Sequence, residues 1–190
     1  AAAAPGDEIV LASGTYLLPT LVFKDGLLIR GGPGVSIQPL TGPAFTIVAD
    51  DVCIEDVEVQ SSDDDAILAR DVKDLYLEDI VVTDAARTGF ALDNVEDVLL
   101  NRLTVQDATI NGISIVDSKD VDFRDSMFTA PRGVHIVASE YVEMDGVDAD
   151  STTEHGIVIE QASKVDLVSS VLTDNEVGLW VLDSDDVTLT

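Results

Sequence analysis

The chain has 190 residues, 46% of them hydrophobic, with 37 acidic against 10 basic side chains and a formal net charge of −27. That hydrophobic content excludes a disordered acidic tail, and the charge excludes nucleic acid and anionic lipid surfaces, which are held through Lys and Arg on phosphates. No apolar run reaches the roughly 18 to 20 residues that insert across a bilayer, no signal peptide is recognisable, and the lone Cys53 cannot close an internal disulfide.

In chain order, residues 1–43 read as N-terminal coils and residues 44–190 as regular repeats of one domain. The repeat is a small residue followed by alternating apolar positions: Ala44-Phe45-Thr46-Ile47, Ala66-Ile67-Leu68-Ala69, Gly89-Phe90-Ala91-Leu92, Gly112-Ile113-Ser114-Ile115, Gly133-Val134-His135-Ile136, Gly156-Ile157-Val158-Ile159 and Gly178-Leu179-Trp180-Val181. Successive starts lie 22, 23, 23, 21, 23 and 22 residues apart. Two further apolar pairs follow in each unit, as in Val98/Leu100 with Leu103/Val105 and Val121/Phe123 with Ser126/Phe128. Three short strands per unit, each with period two, are therefore predicted, and no helical period competes. Such a unit cannot bury its own apolar faces, but stacked units share one interior. The expectation is an all-β parallel solenoid of about eight coils, a rod about 40 Å tall at a strand spacing of ~4.8 Å.

The opening PGDEIVLASGTY, Pro5–Tyr16, resembles the first coil of the pectate-lyase-like β-helix superfamily, and the later coils resemble its generic repeats over essentially the whole chain. The resemblance implies a right-handed parallel β-helix, with an amphipathic capping helix ahead of the opening, of which Ala1–Ala4 is read as a remnant. Uncapped ends expose apolar interior and unpaired strands. The expectation is therefore a longer native polypeptide, or coils of another subunit covering the ends, which gives a filament if the head-to-tail contact does not close.

The turn after the first strand repeats an acidic spacing: Asp71–Asp74, Asn94–Asp97, Asp117–Asp120 and Asp183–Asp186. Like charges about 5 Å apart repel by roughly 1 kcal/mol per pair even in water. These ladders read either as a solvated anionic skin suited to high salt or as Ca²⁺ sites built from Asp71, Asp74, Asp97, Asp117 and Asp120. The run Asp63-Asp64-Asp65 reads as a solvated loop.

The superfamily's enzymes project catalytic side chains outward from one face, which directs attention to the columns flanking the small residue. Just before it run Asp65, Thr88, Asn111, Arg132, His155 and Val177, and two places after it Leu68, Ala91, Ser114, His135, Val158 and Trp180. If that register holds, Arg132, His135 and His155 converge on adjacent coils with Asn111 and Glu154 nearby, a cluster suited to acid–base work, sugar binding or ordinary surface polarity. Outward Val158 and Trp180 would stack as an exposed contact surface. The segments SSDDDAIL and EHGIVIE resemble polygalacturonase motifs, but Asp64 and His155 fall four coils apart, too far to flank one glycosidic bond. A standard pectate-type lyase is disfavoured, since no Asp constellation surrounds Arg132. Cys53 reads as a bystander thiol.

The sequence thus points to a non-catalytic extracellular or cell-surface module with a structural, adhesive or carbohydrate-contacting role. Asn111, Arg132, His135, Glu154, His155 and Trp180 are its candidate ligand residues, and polysaccharide or other protein subunits its partners, with no resident cofactor unless Ca²⁺. The alternatives are a polysaccharide-active lyase, hydrolase or epimerase using Arg132, His135 and His155, and a self-assembling filament subunit.

Overall fold

The computed structural model describes residues 3–150 and 152–190. Among them are nineteen strands, from Glu8–Val10 to Asp185–Leu189, and the pairing from coil to coil is parallel. Three ladders run along the molecule. The first holds Thr20–Val22, Phe45–Ile47, the beginnings of Ile67–Thr83 and Thr88–Asn101, then Asn111–Val116, Arg132–Val137, His155–Glu160 and Val177–Leu182. The second begins with Glu8–Val10 and Leu28–Arg30 and ends with Lys119–Arg124, Glu140–Asp145, Ser163–Val168 and Asp185–Leu189. The third includes Gly14–Tyr16, Val35–Ile37, Thr104–Gln106 and Met127–Phe128, and continues as single bridges at Asp148 and Val171. Phe45, Ile67, Phe90, Ile113, Val134, Ile157 and Leu179 are in register, which reproduces the repeat read from the sequence.

One continuous core fills the solenoid, with Phe45, Phe90, Phe123 and Phe128 among its largest fully buried side chains. Phe123 and Phe128 meet edge to face with centroids 6.4 Å apart. Each such side chain removed from water contributes about 1.5–3 kcal/mol. At the start of the first ladder the small residue is a steric requirement: a Cβ on Gly112 would stand 2.6 Å from the Gly133 carbonyl oxygen and 2.7 Å from Phe128 Cβ. Corner serines supply local order. Ser118 Oγ donates to the Val116 carbonyl at 2.7 Å and accepts from the Val95 amide at 3.1 Å, and Ser139 repeats the pattern one coil on.

The acidic spacing has a backbone cause. Asp71, Asp74, Asn94, Asp97, Asp117, Asp120, Asp183 and Asp186 all have φ between 49 and 57°. Among the described residues, fifteen of the twenty-two non-glycine residues with positive φ are Asp or Asn. Left-handed corners penalise a Cβ-bearing residue, and Asp and Asn tolerate them because their short polar side chains bond to the local backbone. The repeated Asp thus marks where each coil turns.

The run Asp63-Asp64-Asp65 is solvated in part: Asp63 is exposed and Asp64 partly so. Asp65 is buried, its Oδ1 accepts the Thr88 amide at 3.2 Å, and Arg87 Nη1 lies 3.1 Å from Asp64 Oδ1 and 3.7 Å from Asp65 Oδ2. Of the expected capping remnant, Ala1 and Ala2 lie outside the described residues, while Ala3 and Ala4 have no helical structure. No helix among the described residues is long and apolar enough to cross a membrane.

Candidate functional site

The first ladder brings the picked polar residues into line. Asn111 pairs with Arg132, and Arg132 with His155, on three consecutive coils. Ser114, His135, Val158 and Trp180 form the column three residues further along. Both columns face outward because the alternation slips at the glycine. Gly112 and Ile113 both lie on the core side, Gly112 against Phe128, so Asn111 and Ser114 both fall on the outer side. The same slip at Gly133 and Gly156 sets Arg132 beside His135 and His155 beside Val158.

Arg132, Glu154, His155, Val158, Glu160 and Trp180 line an open cleft of about 320 Å³. Trp180 is 46% exposed and meets His155 edge to face, with centroids 5.6 Å apart and planes at 85°. Arg132 Nε stands 3.5 Å from Glu154 Oε2, an ion-pair distance without hydrogen-bond geometry, so this buried N–H has no acceptor among the described residues. His155 Nδ1 and Asn111 Oδ1 are also buried without a partner among the described residues. An unserved buried polar group costs about 1–3 kcal/mol, which makes three on adjacent coils a place for water or ligand atoms. His135 Nε2 lies 3.6 Å from Glu160 Oε2. Burial, and then Arg132, hold the His135 imidazole below its ordinary pKa against the opposing pull of Glu160.

The structure gathers Arg132, Glu154, His155 and Trp180 into the cleft, sets His135 on its edge through Glu160, and leaves Asn111 beneath, 7% exposed. Val158 departs from expectation: it faces outward but is only 5% exposed, between His135 and Trp180 in its column, so the aromatic surface is Trp180 by itself. Glu160 was missed. Its signal was a carboxylate at a strand position that is Val137 on one neighbouring coil and Leu182 on the other.

Some of the acidic corner side chains are engaged by neighbouring side chains. Asn94 Nδ2 donates to Asp71 Oδ1 at 2.6 Å, and Lys119 Nζ pairs with Asp120 Oδ2 at 3.3 Å. Among the described residues no three His, Cys, Asp or Glu side chains gather as a metal centre, whereas Ca²⁺ takes six to eight oxygens. Cys53 is half-buried, and burial together with Glu55 and Glu78 pushes its thiol up to about 11, the opposite of an activated nucleophile.

Residues 25–190 match the family described as the right handed beta helix region. No curated protein matches the sequence. Among solved structures, the A-module of a mannuronan C-5 epimerase of Azotobacter vinelandii superposes with a TM-score of 0.81 at 16% identity, covering 97% of this chain and 68% of that module. The Agl-KA catalytic domain gives 0.67 at 11% identity, covering 96% of this chain and 41% of that one. The surface protein and adhesin PfbA of Streptococcus pneumoniae gives 0.59 at 10% identity, covering 96% and 91%. At these identities the likeness is one of fold.

Proposed function

The chain belongs to the right-handed β-helix family, and we propose that it is a polysaccharide-contacting module, at the cell surface or outside the cell, whose contact site is the cleft of Arg132, Glu154, His155 and Trp180. The observation that carries this reading is the half-exposed Trp180 indole set at 85° against His155, beside an Arg132 Nε that lacks an acceptor among the described residues. A pyranose ring presents an apolar face to an indole and hydroxyls to flanking donors and carboxylates. The ladder adds length, since outward positions recur at each coil about 4.8 Å apart, a step similar to the rise of a sugar chain. Two proteins of the same fold, one named as a mannuronan epimerase and the other as a surface adhesin, support a surface or glycan setting. Arg132→Ala and Trp180→Ala should each abolish retention on immobilised polysaccharide without unfolding the protein; retention unchanged in both variants would refute the site.

A catalytic version of the same site is favoured by one observation. The His135 imidazole, whose pKa burial and Arg132 hold below its ordinary value, stands 3.6 Å from Glu160, an arrangement suited to a general base. Turnover of a bound polysaccharide that is lost in His135→Gln while binding persists would establish this version. Binding without turnover in the wild type would leave the module non-catalytic.

A further inference from the structure

Resting on the reading of the cleft as a polysaccharide site, we propose that its ligand is an uncharged glycan and that uronate chains are rejected. Charge in and around the cleft supports this. Its lining holds one guanidinium, Arg132, against two carboxylates, Glu154 and Glu160, and Arg132 is already 3.5 Å from Glu154. His135 Nε2 lies 3.6 Å from Glu160 Oε2, and burial holds its imidazole below the ordinary pKa, which disfavours the cationic form. No net positive charge is left to receive a carboxylated sugar.

The rest of the surface offers no substitute. Of the 10 Lys and Arg residues in the chain, all but Lys24 stand within ion-pairing distance of a carboxylate among the described residues. Lys24 lies over the Phe23 ring, far along the chain from the cleft. Arg102 is typical of the rest: it bridges Asp79 at 2.7 Å and Glu78 on the neighbouring coil. A uronate polymer would therefore meet a net charge of −27 with Lys24, far along the chain from the cleft, as the one unpaired Lys or Arg among the described residues. An uncharged glycan meets no such barrier and uses what the cleft does hold. Those groups are the Trp180 face, the unserved Arg132 N–H donor, the orphaned His155 Nδ1, and carboxylate oxygens that accept sugar hydroxyls.

The test is retention of the whole chain on an array of immobilised polysaccharides, neutral glucans, mannans, xylans and galactans beside polymannuronate, polyguluronate and polygalacturonate, at 50 mM and 500 mM NaCl. Retention on neutral members only, unchanged by salt and lost in Trp180→Ala, is the expected result. Retention on uronate members would overturn the inference while leaving the polysaccharide site standing. Retention on no member would overturn the polysaccharide reading itself.

Discussion

His155 and Trp180 touch although they are not partners in the ladder: His155 pairs with Val177 and Trp180 with Val158, yet their rings meet at 5.6 Å across the diagonal. The diagonal exists because the slip at Gly156 turns His155 and Val158 to the same outer side. A ligand stacked on the indole is therefore placed beside His155 and Arg132 by the backbone itself.

Truncating Trp180 should separate binding from folding. Trp180→Ala removes an edge-to-face contact worth about 0.5–1.5 kcal/mol from a half-exposed side chain, so the urea midpoint should move little. Affinity for polysaccharide, read by affinity electrophoresis, should fall at least tenfold, with partial recovery in Trp180→Phe. A large loss of stability with binding retained would mean that the indole is a structural cover.

Filling the small-residue column should damage the fold. Gly112→Ala places a methyl 2.6 Å from the Gly133 carbonyl oxygen and 2.7 Å from Phe128 Cβ, and overpacking of this kind costs about 1–3 kcal/mol. Urea unfolding should show a lower midpoint with an unchanged slope. A midpoint equal to wild type would show that the coils separate easily and that the small residue is not a packing requirement.

The coil repeat and the outward columns were legible because solenoid register is local: a period of 21 to 23 residues fixes which side chains stack, and the pairings Asn111–Arg132–His155 and His135–Val158–Trp180 follow it. The role of the repeated Asp was not legible. A three-residue acidic spacing states charge openly but states φ only through residue preference, and Asp97 at φ 57° serves the second. Nor did the pattern separate facing outward from being exposed, as Val158 and Asp65 show, since cover by neighbouring side chains and loops leaves no period in the sequence.

If Asp97 is kept for its corner, Asn should replace it well and Val should not. Asp97→Asn preserves a residue that tolerates left-handed backbone and removes one negative charge, so its thermal midpoint should equal or exceed wild type at low salt. Asp97→Val should lose about 1–2 kcal/mol. NaCl should stabilise the wild type by screening, and CaCl₂ at matched ionic strength should add nothing further. Micromolar stabilisation by CaCl₂, abolished in Asp97→Asn, would instead make the corner a calcium ligand.

Acid should weaken the fold through His135. Its folded pKa lies below the ordinary imidazole value of about 6.5 because burial disfavours the imidazolium. The unfolded chain therefore binds more protons as pH falls through about 6.5 toward the folded value, and stability present above that range is lost across it. Urea midpoints between pH 7.5 and 5 should fall in the wild type and fall less steeply in His135→Gln. Equal slopes would show that His135 is not the group responsible.

The chain contains a single tryptophan, and it lies in the proposed contact site, so its fluorescence reports on that site without a label. The decisive measurement is titration of the intact protein with the polysaccharide that retains it on the array, followed by Trp180 emission. A saturable shift to shorter wavelength is expected as the half-exposed indole is covered, with a midpoint equal to the affinity measured by retention. Saturated binding with unchanged emission would place the glycan elsewhere on the solenoid and refute the Trp180 cleft as its site.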